Sequence, residues 1–97
     1  MCAAKLRQPF DSEKAAELFK ALGDPTRLSL LYLVAETDEV CCIDLTRALG
    51  ISAPTVTHHM KRLAAASLVS RTKKGKWAFY SVNRPEFDRV NELIEAL

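Results

Sequence analysis

The sequence predicts a mainly α-helical fold with a small β-hairpin, a winged helix-turn-helix in a dimeric protein. Three observations carry this expectation. Runs of helical periodicity are separated by cap residues, Gly50 interrupts two of those runs at the spacing of a short turn, and the period changes from about 3.6 to 2 between Leu68 and Val82. A chain of 97 residues falls within the ~50 to 200 residue range of one domain, so residues 1–97 are read as a single unit. A chain this short buries a limited share of its surface, and association with a second copy is a common remedy.

The first helix starts at Asp11 or Ser12, either of which can cap the unpaired amides of a first turn, and runs to Leu22. Ala15, Leu18, Phe19 and Leu22 form its apolar stripe. Asp24-Pro25 then pairs a cap with the residue whose missing N–H costs nothing at the first helical position, which predicts a second helix over Pro25 to Ala35. Leu28, Leu30, Leu31, Leu33 and Val34 make it apolar nearly all round, the mark of a buried central helix. Glu36-Thr37-Asp38-Glu39 reads as a polar connection.

A short third helix fits Cys41 or Cys42 to Leu49, stopped by Gly50, and Ser52-Ala53-Pro54-Thr55 opens a fourth that continues to about Ala66. On the fourth, Val56, His59 or Met60, and Leu63 share the inner side. Leu68 to Lys73 and Lys76 to Val82 are rich in β-branched and aromatic residues and flank Lys74-Gly75, which predicts a hairpin with a basic tip. Asn83, Arg84 and Pro85 start a last helix. The stripe of that helix is Phe87, Val90, Leu93, Ile94 and Leu97. Leu18 and Phe19 of the first helix, together with that stripe, are the expected dimer surface; the alternative is that both helices fold back onto their own core.

The formal charge of +2 conceals a division along the chain. The 41 residues from Leu45 to Pro85 hold eight of the fourteen basic residues and none of the twelve acidic ones: Arg47, Lys61, Arg62, Arg71, Lys73, Lys74, Lys76 and Arg84. Such a segment presents one face to a polyanion. Combined with the helix-turn-helix signal it points to double-stranded DNA, with the fourth helix in the major groove and the hairpin near sugar-phosphate. Ser52, Ala53, Pro54, Thr55, Thr57 and His58 are the expected reading residues, and Lys61 and Arg62 the phosphate contacts as the helix leaves the groove. Lys73, Lys74 and Lys76 supply point charges at the wing. Adjacent helical residues point ~100° apart, so His58 is assigned to DNA and His59 to packing against the preceding helix.

Three cysteines without Cys-x-x-Cys or zinc-finger spacing argue against a disulfide framework and a structural zinc site. Cys41 and Cys42 sit at a helix start, where unpaired amides favour the thiolate, and two soft ligands there suit a thiophilic ion. Cys2 can supply a third sulfur; the competing reading is that one of the pair is core packing. The longest strongly apolar run, Leu28 to Ala35, falls short of the ~18 residues of a membrane span, and no apolar stretch follows the N-terminal charges. These features predict a cytoplasmic protein with no membrane partner. No nucleophile, base and orienting group form a recognisable set, so no enzymatic activity and no organic cofactor are expected.

The chain resembles the ArsR/SmtB family of metal-responsive repressors from about Glu13 to Leu97. The matching stretches are Ala21-Leu22-Gly23-Asp24-Pro25-Thr26-Arg27, Asp44-Leu45 through Leu49-Gly50-Ile51-Ser52 to Val56-Thr57-His58-His59-Met60-Lys61-Arg62-Leu63, and Leu68-Val69 through Gly75 to Tyr80. The resemblance implies a homodimer that represses an operon and leaves its operator when metal binds. In the arsenic-sensing branch the segment matching Glu39 to Leu45 carries Cys-x-Cys-Asp-Leu. Here Cys41 holds the first thiol position, Ile43 the second, and Cys42 the one between. Other members recruit N-terminal cysteines, which implies Cys2 as a third ligand, from either subunit. The last helix has Asp88, Glu92 and Glu95 but no His, unlike the family's carboxy-terminal zinc site. The resulting expectation is a repressor induced by trivalent arsenic or antimony through Cys41, Cys42 and Cys2. The alternatives are cadmium or lead, thiol oxidation, or no metal sensing.

Overall fold

The computed structural model describes residues 11–97. These form helices α1 (Ser12–Leu22) and α2 (Pro25–Ala35), strand β1 (Val40–Cys41), helices α3 (Cys42–Leu49) and α4 (Ala53–Ala65), strands β2 (Val69–Lys74) and β3 (Trp77–Val82), and helix α5 (Arg84–Glu95). The three strands form one antiparallel sheet in the order β1-β3-β2.

The helix starts follow the caps in the sequence. The Asp11 carboxylate accepts from the amides of Glu13 and Lys14, and Asp24 accepts from that of Arg27 at 2.9 Å. Arg27 then reaches back across the turn. Its Nε donates to Ala21 O at 2.8 Å and one terminal nitrogen donates to Lys20 O at 3.2 Å, so two carbonyls at the end of α1 find donors. Helix α3 has only eight residues, too few to persist alone, and its one buried side chain, Leu45, anchors it to the core. Gly50 ends it at φ 62°, ψ 31°, in the left-handed region where glycine carries no Cβ penalty.

Helix α4 ends on a Schellman motif. The Ser67 amide donates to Ala64 O and the Leu68 amide to Leu63 O, with Ser67 left-handed at φ 61°. The side chain of Asn83, just before α5, donates to Ser67 O at 2.7 Å, which fastens this turn to the far end of the hairpin. Val56, Met60 and Leu63 of α4 are fully buried, at helical spacing, with Leu30 and Val34 of α2 and Leu68 in the same core. Met60, not His59, takes the middle position.

Several expectations change. Helix α2 is not buried all round: Leu30, Leu31 and Val34 face the core, whereas Leu28 is 37% and Tyr32 68% exposed. Composition marks this helix as apolar, but the described elements cover only one of its sides. Of the expected dimer residues, Leu18, Val90 and Leu93 lie inside the chain's own core and Phe87 packs against it half-buried; Phe19, Ile94 and Leu97 remain exposed. The terminal stripes therefore fold back onto the core through their inner residues, while their outer residues stay open. Strand β1 is an addition to the expected elements, lying between the polar connection Glu36 to Glu39 and a helix that starts at Cys42, and it pairs Val40 with Tyr80 and Cys41 with Phe79. The hairpin turn is one residue later than expected. Lys74 belongs to β2, opposite Trp77, and the two turn residues are Gly75 and Lys76, with Gly75 at φ 62°.

Candidate nucleic-acid interface

Ser52 starts the reading helix. Its Oγ accepts from the Thr55 amide at 3.3 Å and shares a 2.7 Å hydrogen bond with the Thr55 hydroxyl, so these two side chains are tied into the cap. Beyond them Ala53, Pro54, Thr57, His58 and Lys61 line one open depression on the exposed side of α4. Their positions repeat at intervals of three and four, which places them on one face. This stripe carries hydroxyl, imidazole and ammonium groups along a helix whose opposite side is fully buried, the arrangement needed to present side chains to a groove.

Arg62 does not share the stripe. It borders a cavity between α1 and α4 with Glu17, Lys20 and Arg27. The two histidines diverge, with rings 5.6 Å apart and inclined at 62°. His58 is exposed, whereas His59 is half-buried and directed at the start of α2, where its Nδ1 lies 3.9 Å from an Asp24 carboxylate oxygen, beyond hydrogen-bond distance. The Arg27 amide donated to Asp24 holds that carboxyl below its ordinary value; the Arg27 and His59 charges act in the same sense, and desolvation opposes them.

On the wing, side chains alternate between two faces. Lys73 lies opposite Ala78, on the face that nearer the body carries Tyr80 and Val82 into the core. Lys74 lies on the outer face with Trp77, Phe79 and Thr72. Its ammonium pairs with the Glu39 carboxylate and sits 5.0 Å from the centre of the Phe79 ring. Lys76, in the turn, lies 5.4 Å from the centre of the Trp77 ring, and Trp77 is 43% exposed. Sequence reasoning missed Glu39 and Trp77. Glu39 is 35 residues from Lys74 and no local pattern joins them; an aromatic residue within a basic hairpin was the available signal for Trp77.

Cys41 and Cys42 occupy the junction of sheet and helix-turn-helix. Cys41 ends β1 and is the N-cap of α3, with no side-chain cap hydrogen bond; Cys42 is the first residue of the helix. Both are half-buried free thiols. Cys41 pairs with Phe79 and shares the outer face of the sheet, while Cys42 packs against the core. Ile43, at the other thiol position of the expected pattern, is 36% exposed. Among the described residues no three His, Cys, Asp or Glu side chains gather as a metal site. Cys2 lies outside the described residues. Also among the described residues, no helix is long and apolar enough to cross a membrane.

A buried helix-turn-helix with a basic hairpin beside its exposed reading face defines a DNA-binding regulator of transcription. Residues 24–71 match the model of the bacterial regulatory proteins of the arsR family. An uncharacterized HTH-type transcriptional regulator from Methanocaldococcus jannaschii is 45% identical over 83 residues, 86% of this chain and 90% of that one. The arsenical resistance operon repressor of Bacillus subtilis is 33% identical, over 84% of this chain and 74% of that one. Among solved structures, a homodimeric winged helix-turn-helix DNA-binding domain from Mycobacterium bovis superposes with a TM-score of 0.76 at 23% identity, covering 99% of this chain and 88% of that one. The chain belongs to the arsR family and is a winged-helix transcriptional regulator.

Proposed function

We propose that the chain is a metalloid-responsive repressor, which binds operator DNA as a homodimer and leaves it when arsenite or antimonite binds the thiolates of Cys41, Cys42 and Cys2. The observation that carries this reading is the place of the vicinal thiols: Cys41 is at once the last residue of a strand paired to the wing and the cap of the first helix of the helix-turn-helix. A soft ion gathering sulfur there acts on both DNA-contacting parts. Trivalent arsenic forms three bonds to sulfur, so three thiolates complete its valence, and soft ligands disfavour Mg²⁺ or Ca²⁺. Cys42 gives up its packing against the core to take part. This links ligand binding to a rearrangement at the start of α3.

Ala53, Pro54, Thr57, His58 and Lys61 read and grip the major groove, with Ser52 and Thr55 at its edge, while the wing touches phosphate. Exposed Phe19, Ile94 and Leu97 meet the second copy. A two-fold dimer calls for a near-palindromic operator with half-site centres ~34 Å apart or a multiple of that. Release needs a coupling of only ~1 to 3 kcal/mol, which lowers DNA affinity roughly 5- to 150-fold.

The test is fluorescence anisotropy of labelled operator DNA with excess reductant, titrated in parallel with arsenite, cadmium, lead and zinc. Arsenite releases the parent and does not release the Cys41→Ser, Cys42→Ser double variant. An unchanged arsenite response in that variant refutes the thiol site, and release by cadmium or lead alone refutes the metalloid assignment.

A further inference from the structure

We propose that Glu39 is a positioning residue of the wing, holding Lys74 away from DNA so that Lys73 and Lys76 make the phosphate contacts of the hairpin. This rests on the wing contact with phosphate proposed above. Three lysines in a row of four residues, Lys73, Lys74 and Lys76, look equivalent in the sequence. The structure distinguishes them. Strand alternation sends Lys73 and Lys74 to opposite faces, and the turn places Lys76 at the tip. Among the described residues, Lys74 alone of the three has an anion: the Glu39 carboxylate, at the end of the α2–β1 connection, receives its ammonium. The Phe79 ring, 5.0 Å from the same ammonium, gives it a second attachment on the outer face of the sheet.

Glu39 is itself held in register. The next two residues, Val40 and Cys41, pair with Tyr80 and Phe79, so the carboxylate is presented from a fixed edge of the wing sheet. Lys74 is thus paired with an anion of its own chain, its charge matched by Glu39. Freed of that carboxylate, Lys74 becomes one more cation on the exposed hairpin, available to a phosphate.

The slope of log affinity against log salt concentration counts phosphate contacts, each contributing about 0.9 on duplex DNA. DNA binding is therefore measured across a salt series for the parent, Glu39→Gln, Lys74→Ala, the combination of those two, and Lys73→Ala with Lys76→Ala. Glu39→Gln steepens the slope by about 0.9 per subunit, equivalent to a ~3.5-fold larger loss of affinity between 50 and 200 mM salt. Lys74→Ala leaves the parent slope unchanged, and in that background Glu39→Gln has no further effect on it. Flattening by Lys74→Ala alone, or an unchanged slope in Glu39→Gln, overturns the proposal. Equal steepening by Glu39→Gln with and without Lys74 also overturns it, because Glu39 then acts as a general repulsive charge. If the Lys73, Lys76 double variant keeps the parent slope, the wing reading itself falls. If that variant flattens the slope while Glu39→Gln is inert, only the role of Glu39 falls.

Discussion

Lys61 and Arg62 are adjacent cations on the reading helix, and their substitution by alanine separates a side chain on the reading face from its neighbour. Successive helical residues diverge by ~100°. Lys61 is exposed on the stripe with Ala53, Pro54, Thr57 and His58, whereas Arg62 borders the cavity between α1 and α4 with Glu17, Lys20 and Arg27. Lys61→Ala removes one phosphate contact per subunit and flattens the salt slope by about 0.9, or about 1.8 in a dimer with both subunits on DNA. Over a fourfold rise in salt from 50 to 200 mM, the dimer value shrinks the drop in affinity by roughly 12-fold. Arg62→Ala keeps the parent slope. The assay is anisotropy of one labelled duplex at five or more salt concentrations, with unfolding curves showing that both variants remain folded. Equal flattening by the two variants, or flattening by Arg62→Ala alone, would refute the assignment of the reading face.

Two further outcomes concern the frame that holds this face. Gly50→Ala destabilises the protein by about 1 to 2 kcal/mol, since Gly50 lies at φ +62° and a Cβ there meets nothing within 4 Å, which leaves backbone strain as the cost; Gly50→Asn costs less, and urea unfolding that found Ala as stable as the parent would show that the turn does not need this backbone. The Asp24 carboxyl has a folded-state pKa below the ordinary carboxylate value, so its contribution to stability is complete above about pH 4 and disappears as pH falls through the lowered folded value. Asp24→Asn, which keeps a capping side chain, removes that part of the acid dependence; a gap between variant and parent that stays constant from pH 5 to pH 2 would contradict it.

What could be read from the sequence was local. Asp24 followed by Pro25, Ser52 followed by Pro54, and Gly50 after Leu49 each fix a helix boundary within a few residues of chain, and the structure has the caps where those residues stand. The omissions depended on distant partners. A two-residue strand has no period to detect, and Val40 and Cys41 become a strand because Tyr80 and Phe79 come alongside them. Likewise an apolar stripe does not reveal how its width is divided between core and surface, so Leu18 and Val90 could not be told from Phe19 and Ile94. The same limit covers Cys41 and Cys42, equivalent as neighbouring thiols until the sheet assigns one to its outer face and the core takes the other.

That long-range pairing also changes how the two DNA-contacting parts are related. In the sequence the helix-turn-helix and the hairpin are successive segments separated by a tight turn. In the fold, β1 runs directly into α3 at one end and lies against β3 along its length, so the first helix of the motif is hydrogen-bonded to the wing through Val40 and Cys41. A second connection passes from Leu68 and Ser67, after the reading helix, to Asn83 at the base of the hairpin. The reading helix and the wing are therefore held by separate links at both ends of the motif, and a shift of β1 alters the wing edge and the α3 cap together. Cys41 and Glu39 both lie in that short stretch, one at the candidate thiol site and the other bound to a wing lysine. Residues 39 to 41 thus link the wing to the first helix of the motif, through a strand too short to be recognised in sequence.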